Sequence, residues 1–234
     1  MRIFIKGDCH GNFDFLPKWC EENSTTTKDV LIILGDAGIN YYLGKKDQLL
    51  KEKISLCPIT LICIHGNHEA RPETIKQDKY DLIGLSQFNG NFWIQEKYPN
   101  ILFAQDGEYE ILGKRFLILG GAYSVDKYYR LKMGYNWFFD EQMPLETKSQ
   151  IFKIIEANNK FDFVLSHTAP IDYEPTYLFL SGIDQSLIDK SMENFLQQVY
   201  NSIIFNHWYF AHYHDDNDFK NNISIIYKNI IQII

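Results

Sequence analysis

Long apolar runs are missing from this chain, and nothing in it approaches the roughly 20 residues of a membrane span. The N-terminus offers only Ile3, Phe4 and Ile5 before Lys6, too short for the apolar core of a signal peptide. Basic clusters are missing as well. The net charge is −7, and Lys45-Lys46 and the pair Lys51 and Lys53 read as the solvated side of a helix. That disfavours a protein whose affinity depends on many nucleic-acid phosphates, while a site for one phosphate needs only a few cations. Cysteine is scarce: Cys9, Cys20, Cys57 and Cys63 form no CxxC pair and no even framework. They read as reduced thiols in a cytoplasmic protein. No repeat, low-complexity linker or break in composition divides the sequence, so residues 1–234 are expected to form a single domain.

What is present is a globular composition, 45% hydrophobic and 23% charged, with an aromatic share of 15% that exceeds what one core readily absorbs. Some of those rings are therefore expected at the surface or in a cleft. Arg2–Lys6, Val30–Leu34 and Ile59–Ile64 read as strands, separated by helical spacing at Phe13, Leu16, Trp19 and Cys20 and again at Leu49, Leu50 and Ile54. Strand, helix, strand, helix, strand implies right-handed crossovers and parallel pairing. Next come short strands at 101–104, 109–112 and 115–119, with hairpin signals at Gln105-Asp106-Gly107 and Leu112-Gly113-Lys114. The stretch from Tyr123 to Phe139 shows little period. Residues 147–158 read as a helix, 162–165 as a strand, 182–200 as a long amphipathic helix and 208–210 as a strand. Residues 223–227 and 230–234 look like a closing hairpin turning at Lys228-Asn229.

The informative feature is how the strands stop. Ile3-Phe4-Ile5 runs into Gly7-Asp8-Cys9-His10-Gly11, Val30–Leu34 into Gly35-Asp36, and Thr60–Ile64 into His65-Gly66-Asn67-His68-Glu69. Phe163-Val164-Leu165 leads to Ser166-His167, and Trp208-Tyr209-Phe210 to Ala211-His212-Tyr213-His214. Open α/β sheets place ligands beyond the carboxyl ends of their strands, so five such stops point to a metal site assembled there. Asp, His and Asn suit divalent transition metals. Asp8 and His10 stand two apart, as do His212 and His214, so each pair can grip one ion from extended backbone. With Asp36, Asn67 and His167 these make seven donors, too many for one ion and suited to two that share a bridging carboxylate. Two ions roughly 3.5–4 Å apart clamp the attacking and leaving oxygens of an in-line displacement at phosphorus and generate hydroxide near neutral pH. His68, beside a donor but itself unspent, is placed as general acid for the leaving group.

In order, Asp8-Cys9-His10, Gly35-Asp36, Gly66-Asn67-His68-Glu69, His167 and Ala211-His212-Tyr213-His214 resemble the five blocks of the calcineurin-like metallophosphoesterases, across nearly the whole chain. The resemblance implies a four-layer α/β/β/α sandwich: two mixed sheets flanked by helices, with a dimetal site at the strand ends. It implies one metal on Asp8, His10, Asp36 and His214 and a second on Asp36, Asn67, His167 and His212, with Asp36 bridging. It also implies attack by a metal-bound hydroxide with His68 as the acid. The protein phosphatases of this superfamily follow the second block with an acid and Arg-Gly; Ala37-Gly38-Ile39-Asn40 has neither, which argues against protein phosphatase activity. Gly120-Gly121-Ala122-Tyr123-Ser124 and Tyr128-Tyr129-Arg130 are similar to small bacterial and phage-type members.

Arg71 and Arg130 are candidates to hold phosphate, and Tyr123, Tyr128 and Trp137 to wall the cleft with aromatic rings. Glu69 is expected either to orient His68 or a metal-bound water, or to stabilise the start of a following helix. His65 and His207, outside the blocks, read as structural histidines. The function expected is hydrolysis of a phosphomonoester or phosphodiester with two divalent metals, Mn²⁺ first and Fe, Zn²⁺ or Co²⁺ as alternatives. The substrate is expected to be a small phosphorylated compound or nucleotide, without membrane association. A nuclease or nucleotide pyrophosphatase is the alternative among hydrolases, the nuclease disfavoured by the acidic charge. A metal-binding interaction scaffold is the alternative outside enzymes, disfavoured by the retention of His68 and every metal donor.

Overall fold

Burial alternates along the first strands, and that alternation builds the layers. Ile3 and Ile5 enter one core and Phe4 another; Val30 and Ile32 join the first, Leu31 and Ile33 the second. Side chains on a strand point to opposite faces in turn, so a sheet apolar on both faces must be covered on both. The computed structural model describes residues 1–179 and 181–234. In chain order its elements are β1 (Ile3–Lys6), α1 (Leu16–Glu22), β2 (Val30–Ile33), α2 (Lys45–Ser55), β3 (Thr60–Cys63), β4 (Asp81–Leu85), β5 (Gly90–Ile94), β6 (Ile101–Ala104), β7 (Gly107–Ile111) and β8 (Lys114–Leu119). There follow α3 (Lys127–Met133), α4 (Leu145–Ala157), β9 (Lys160–Ser166), α5 (Ser191–Ser202), β10 (Ile204–Phe210), β11 (Asn217–Phe219), β12 (Ile223–Ile225) and β13 (Ile230–Gln232).

Two mixed sheets result. One has the order β13-β1-β2-β3-β6-β5-β4 and the other β11-β12-β10-β9-β8-β7. β1, β2, β3 and β6 run parallel, as do β8, β9, β10 and β12, while the flanking strands pair antiparallel. The inner faces share a core that includes Ile5, Ile32, Ile62, Phe92, Phe116 and Leu165. The outer face of the first sheet packs on Leu16, Cys20 and Ile54 of α1 and α2; that of the second packs on Ile151, Ile155, Leu196 and Val199 of α4 and α5. The architecture is the expected four-layer α/β/β/α arrangement. The helix α3 stands apart, with no buried residue. Among the described residues no helix is long and apolar enough to cross a membrane, and all four cysteines are free and buried.

Several local expectations change. Leu112-Gly113 does form a two-residue hairpin between β7 and β8, both residues at positive φ (53° and 70°), as such turns require. Asp106 instead leads the chain from the first sheet to the second, since β6 and β7 lie in different sheets. The closing hairpin is likewise split: β12 pairs with β10 and β11, and β13 crosses back to β1. The helix expected from residue 182 begins only at Ser191. Asp184 and Asp189 accept hydrogen bonds from the backbone N–H of Ser186 (3.0 Å) and Ser191 (2.8 Å), local turns that compete with the helix ladder. The strands β4 and β5 and the helix α3 were not anticipated.

Candidate metal centre

The carboxyl ends of β1, β2 and β3 face those of β8, β9 and β10 across the sandwich, so the polar stops of both sheets converge. Backbone bonds stitch the loops together. Cys9 N–H and His10 N–H both donate to Asp36 O (3.0 and 2.8 Å), and Ala211 N–H donates to His167 O (2.9 Å). His10, Asp36, His212 and His214 all adopt positive φ (47°, 48°, 69° and 57°). For non-glycine residues such angles cost about 1–3 kcal/mol each and persist where surrounding structure imposes them, typically at functional sites. Glycine is required where these loops touch. At Gly35 (φ +94°) a Cβ would stand 2.1 Å from His167 Nδ1, and at Gly66 one would stand 2.1 Å from Asp36 N. Gly35→Ala should therefore push the His167 ring out of place and lower the metal bound per chain at least severalfold while the fold stays intact. Elemental analysis beside circular dichroism checks this, and full metal content in the variant would contradict it.

Seven residues were expected as metal donors, and the structure brings all seven to this region. Asp8, Asp36, Asn67 and His167 are buried, whereas His10 and His214 are exposed. His214 Nε2 lies 3.0 Å from Asp8 Oδ2 and 2.9 Å from His10 Nε2, and His10 Nε2 is 3.5 Å from Asp8 Oδ2. Donors about 2.1 Å from one ion and at right-angle to tetrahedral spacing stand roughly 3.0–3.4 Å apart, so this trio has the separations of a shared coordination sphere. On the other side, His167 Nε2 is 2.9 Å from Asn67 Oδ1 and 3.7 Å from Asp36 Oδ2. His167 Nδ1–H donates to Leu34 O (2.7 Å), which in the neutral ring selects the tautomer whose Nε2 can serve as a metal ligand. Asn67 Nδ2 donates to Ser124 Oγ (2.9 Å), which turns Oδ1 toward that nitrogen. A ring nitrogen and an amide oxygen brought this close beside a carboxylate form a donor set that suits a cation. Asp36 lies between the halves, its Oδ2 also 3.9 Å from His10 Nδ1. Asp8, Asp36 and His167 can also present ligand atoms within 4.8 Å of one another. His212 stacks edge-on to His167, ring centroids 5.0 Å apart, and its backbone N–H holds Asp8 Oδ1 at 3.0 Å.

Electrostatics follows from this crowding. Burial opposes ionisation of Asp8, but the hydrogen bond from His214 and the neighbouring imidazoles of His167 and His10 outweigh it and hold the carboxyl below its usual range. His214 is raised by the same bond. His68 is lowered, first by burial and then by Arg130 and His10, with Asp36 and Asp126 pulling the other way. Its backbone N–H donates to Asp36 Oδ1 (2.8 Å), and its Nε2 is 4.0 Å from Asp36 Oδ2.

Around the donors the expected residues divide. Arg130 reaches the cluster from α3: its Nη2 lies 3.2 Å from His68 Nε2, and its Nε is gripped by both oxygens of Asp126 (2.8 and 2.9 Å). Arg71 does not come here. It is buried, donates to Asp106 Oδ2 (2.9 Å) and to Asp140 O (3.1 Å), and lines a separate small cavity of about 60 Å³ with His65 and Glu73. Glu69 neither starts a helix nor touches His68; buried, it accepts from Gly38 N (3.0 Å) and Gly66 N (3.1 Å) and ties the second and third loops together. His65 bonds Asp140 O and His207 bonds Ser224 Oγ, both away from the cluster. Trp137 donates to Glu141 (2.8 Å), and Tyr128 is exposed on α3. Ser124, Asp126 and Tyr41 belong to the site unannounced. The Gly120-Gly121 strand end was the signal for Ser124; nothing local marked the other two.

Two cavities open on the cluster. The first, about 370 Å³, runs under Tyr123, Val125, Leu178, Phe179, Ile183 and Ile188 and reaches Asp36, Asn67 and His212. The second, about 650 Å³, lies against Tyr41, Tyr42, Lys46 and Leu50 and reaches His10 and Arg130. His68, Asp126 and His214 line both.

Comparison with known proteins agrees with this geometry. No curated protein matches the sequence at a significant level. One solved crystal structure aligns over 99% of this chain and 95% of its own, with a TM-score of 0.55 and 12% identity, a likeness of fold alone. The family model described as calcineurin-like phosphoesterase matches residues 1–216, which carry every donor described above. By its fold, by the convergence of its strand-end donors and by this match, the chain belongs to the calcineurin-like phosphoesterase family.

Proposed function

We propose that this protein is a dimetal hydrolase of phosphomonoesters or phosphodiesters, formed by a single domain. Asp8, His10, Asp36 and His214 hold one divalent cation, and Asp36, Asn67, His167 and His212 hold the other. Mn²⁺ is the first expectation, because the donor set accepts several divalent transition metals and availability then decides occupancy. The observation that carries this reading is the convergence of His167 Nε2 and Asn67 Oδ1, 2.9 Å apart beside Asp36, opposite the Asp8–His10–His214 trio. When bound, the cations supply a water of lowered pKa and offset the charge of the phosphoryl group.

The chain's own side chains do the rest. His68, in contact with Arg130 and Asn67 Nδ2 (3.3 Å), gives a proton to the departing oxygen. Arg130, held in aim by Asp126, takes the place of the arginine that the second sequence block lacks and binds a phosphoryl oxygen. Tyr123 faces the substituent from the first cavity. The test is to strip the protein with chelator and restore single metals. Hydrolysis of p-nitrophenyl phosphate or bis(p-nitrophenyl) phosphate should fall at least a hundredfold on stripping and return with Mn²⁺ at two ions per chain. Undiminished turnover in chelator would sink the dimetal reading.

A further inference from the structure

The two cavities carry an inference about the substrate that rests on the phosphoesterase reading and goes beyond it. A monoester has one group on phosphorus besides its free oxygens and needs one pocket. Here two spaces, about 370 and 650 Å³, share His68, Asp126 and His214 in their linings and otherwise have different walls. Each is of the size that by itself receives a ligand. A phosphorus atom held beside these three residues borders both spaces.

The two sides differ in chemistry. In the first, Leu178, Phe179, Ile183 and Ile188 form an apolar wall, with Tyr123 and Val125 completing it. At its edge Lys190 pairs with Glu174 (2.6 Å), whose carboxylate also accepts from Tyr213 OH (3.1 Å). The one Lys or Arg of that lining is thus neutralised, and its Glu193 carboxyl is raised toward the neutral form by burial, so the space offers an apolar or aromatic group little to oppose it. In the second, Tyr41 and Tyr42 meet edge to face at 4.9 Å, and Lys46 Nζ sits 4.2 Å from the Tyr42 ring centre. Arg130 is held by Asp126 (2.8 Å) with its Nη1 toward Tyr41 OH (3.4 Å), and the other carboxylate of that wall, Asp47, is spent on Tyr42 N–H (3.2 Å) and Leu43 N–H (2.7 Å), so Lys46 is the cation that side offers. That side suits a polar or anionic group able to lie on a ring.

We propose that the substrate is an unsymmetrical phosphodiester, its apolar or aromatic alcohol lodged in the first cavity and its more polar group in the second. Water adds its oxygen to phosphorus, one of its protons passing to solvent, from which His68 is later reprotonated, and one P–O ester bond breaks. The departing alcohol leaves with the proton given by His68, and the other group stays attached as a phosphomonoester. The protein is thus a diesterase whose product has lost the contacts of one cavity and is released.

The test uses the full metal-loaded chain with bis(p-nitrophenyl) phosphate, p-nitrophenyl phosphate and the mixed diester thymidine 5′-(p-nitrophenyl phosphate). The expected kcat/KM for each diester exceeds that for the monoester by at least tenfold. Phe179→Ala in the first cavity and Tyr42→Ala in the second each raise KM for the mixed diester about fivefold or more, with kcat changed less than twofold. Tyr42 is half exposed, so its replacement does not threaten the fold. Faster turnover of the monoester, or a diester KM that ignores both substitutions, overturns the proposal while leaving a phosphoesterase. Absence of metal-dependent turnover on every ester removes the phosphoesterase reading, and the proposal with it.

Discussion

Asp36→Asn should lower kcat/KM for phosphoester hydrolysis by at least about a thousandfold, equivalent to about 4 kcal/mol of lost transition-state stabilisation. The size of the effect comes from how many partners one carboxylate serves. Its Oδ2 faces His10 Nδ1, His167 Nε2 and His68 Nε2 at 3.9, 3.7 and 4.0 Å, and its Oδ1 fixes the backbone of His68 at 2.8 Å. Asparagine keeps the shape and one acceptor. It loses the negative charge and turns a donor toward one of those nitrogens, and a neutral amide cannot join two cations as a carboxylate does. The side chain is also buried, at 1% exposure, so water cannot replace what is lost. Elemental analysis should find metal bound per chain reduced to one ion or fewer, with circular dichroism unchanged. A variant that retained two ions and wild-type turnover would refute the bridging role.

Much of this centre was legible because its donors are local to strand ends. An apolar run that stops in glycine and then offers Asp, Asn or His is readable in one dimension, and parallel pairing then sends all such stops to the same edge. The register of β1, β2 and β3 aligns Lys6, Ile33 and Cys63, so Asp8, Asp36 and Asn67 follow within a few residues of one line. What stayed hidden depends on choices made between elements. β12 (Ile-Ser-Ile) and β13 (Ile-Ile-Gln) are both short and isoleucine-rich, and nothing in either says that one joins the second sheet and the other the first.

The segment from Tyr123 to Phe139 was opaque for a related reason. α3 buries no side chain, so no apolar period betrays it, yet it delivers Arg130 to His68 across 62 positions of sequence. Arg71 misled in the opposite direction. It follows the third block closely enough to look like a phosphate ligand, but inside the protein its Nη1 is bound by the Asp106 carboxylate and its Nε by the backbone carbonyl of Asp140. An arginine beside a motif announces a charge, and only the fold decides which acid claims it.

His68→Ala should separate two kinds of substrate. General acid catalysis contributes about 10²–10⁴ in rate, but only where the leaving oxygen needs a proton. An alkoxide does; a nitrophenolate leaves without one. For an alkyl phosphoester kcat should therefore fall by about 10²–10⁴, and for a nitrophenyl ester by less than about tenfold. The pH dependence should change with it. Burial, Arg130 and His10 hold the imidazole below its ordinary pKa against the pull of Asp36 and Asp126, so in the free enzyme His68 carries its proton only on the acid side. Wild-type kcat/KM on the alkyl ester should then decline as pH rises through the lowered His68 value, and that limb should be missing in the alanine variant. Arg130 donates to the nitrogen that would carry the proton, so phosphate entering the site must draw Arg130 to itself before His68 can act. Arg130→Lys, which keeps the charge but not the forked geometry, should then raise KM more than it lowers kcat. Equal losses on alkyl and nitrophenyl esters in His68→Ala would show that the imidazole holds the phosphoryl group in place and does not protonate the leaving oxygen.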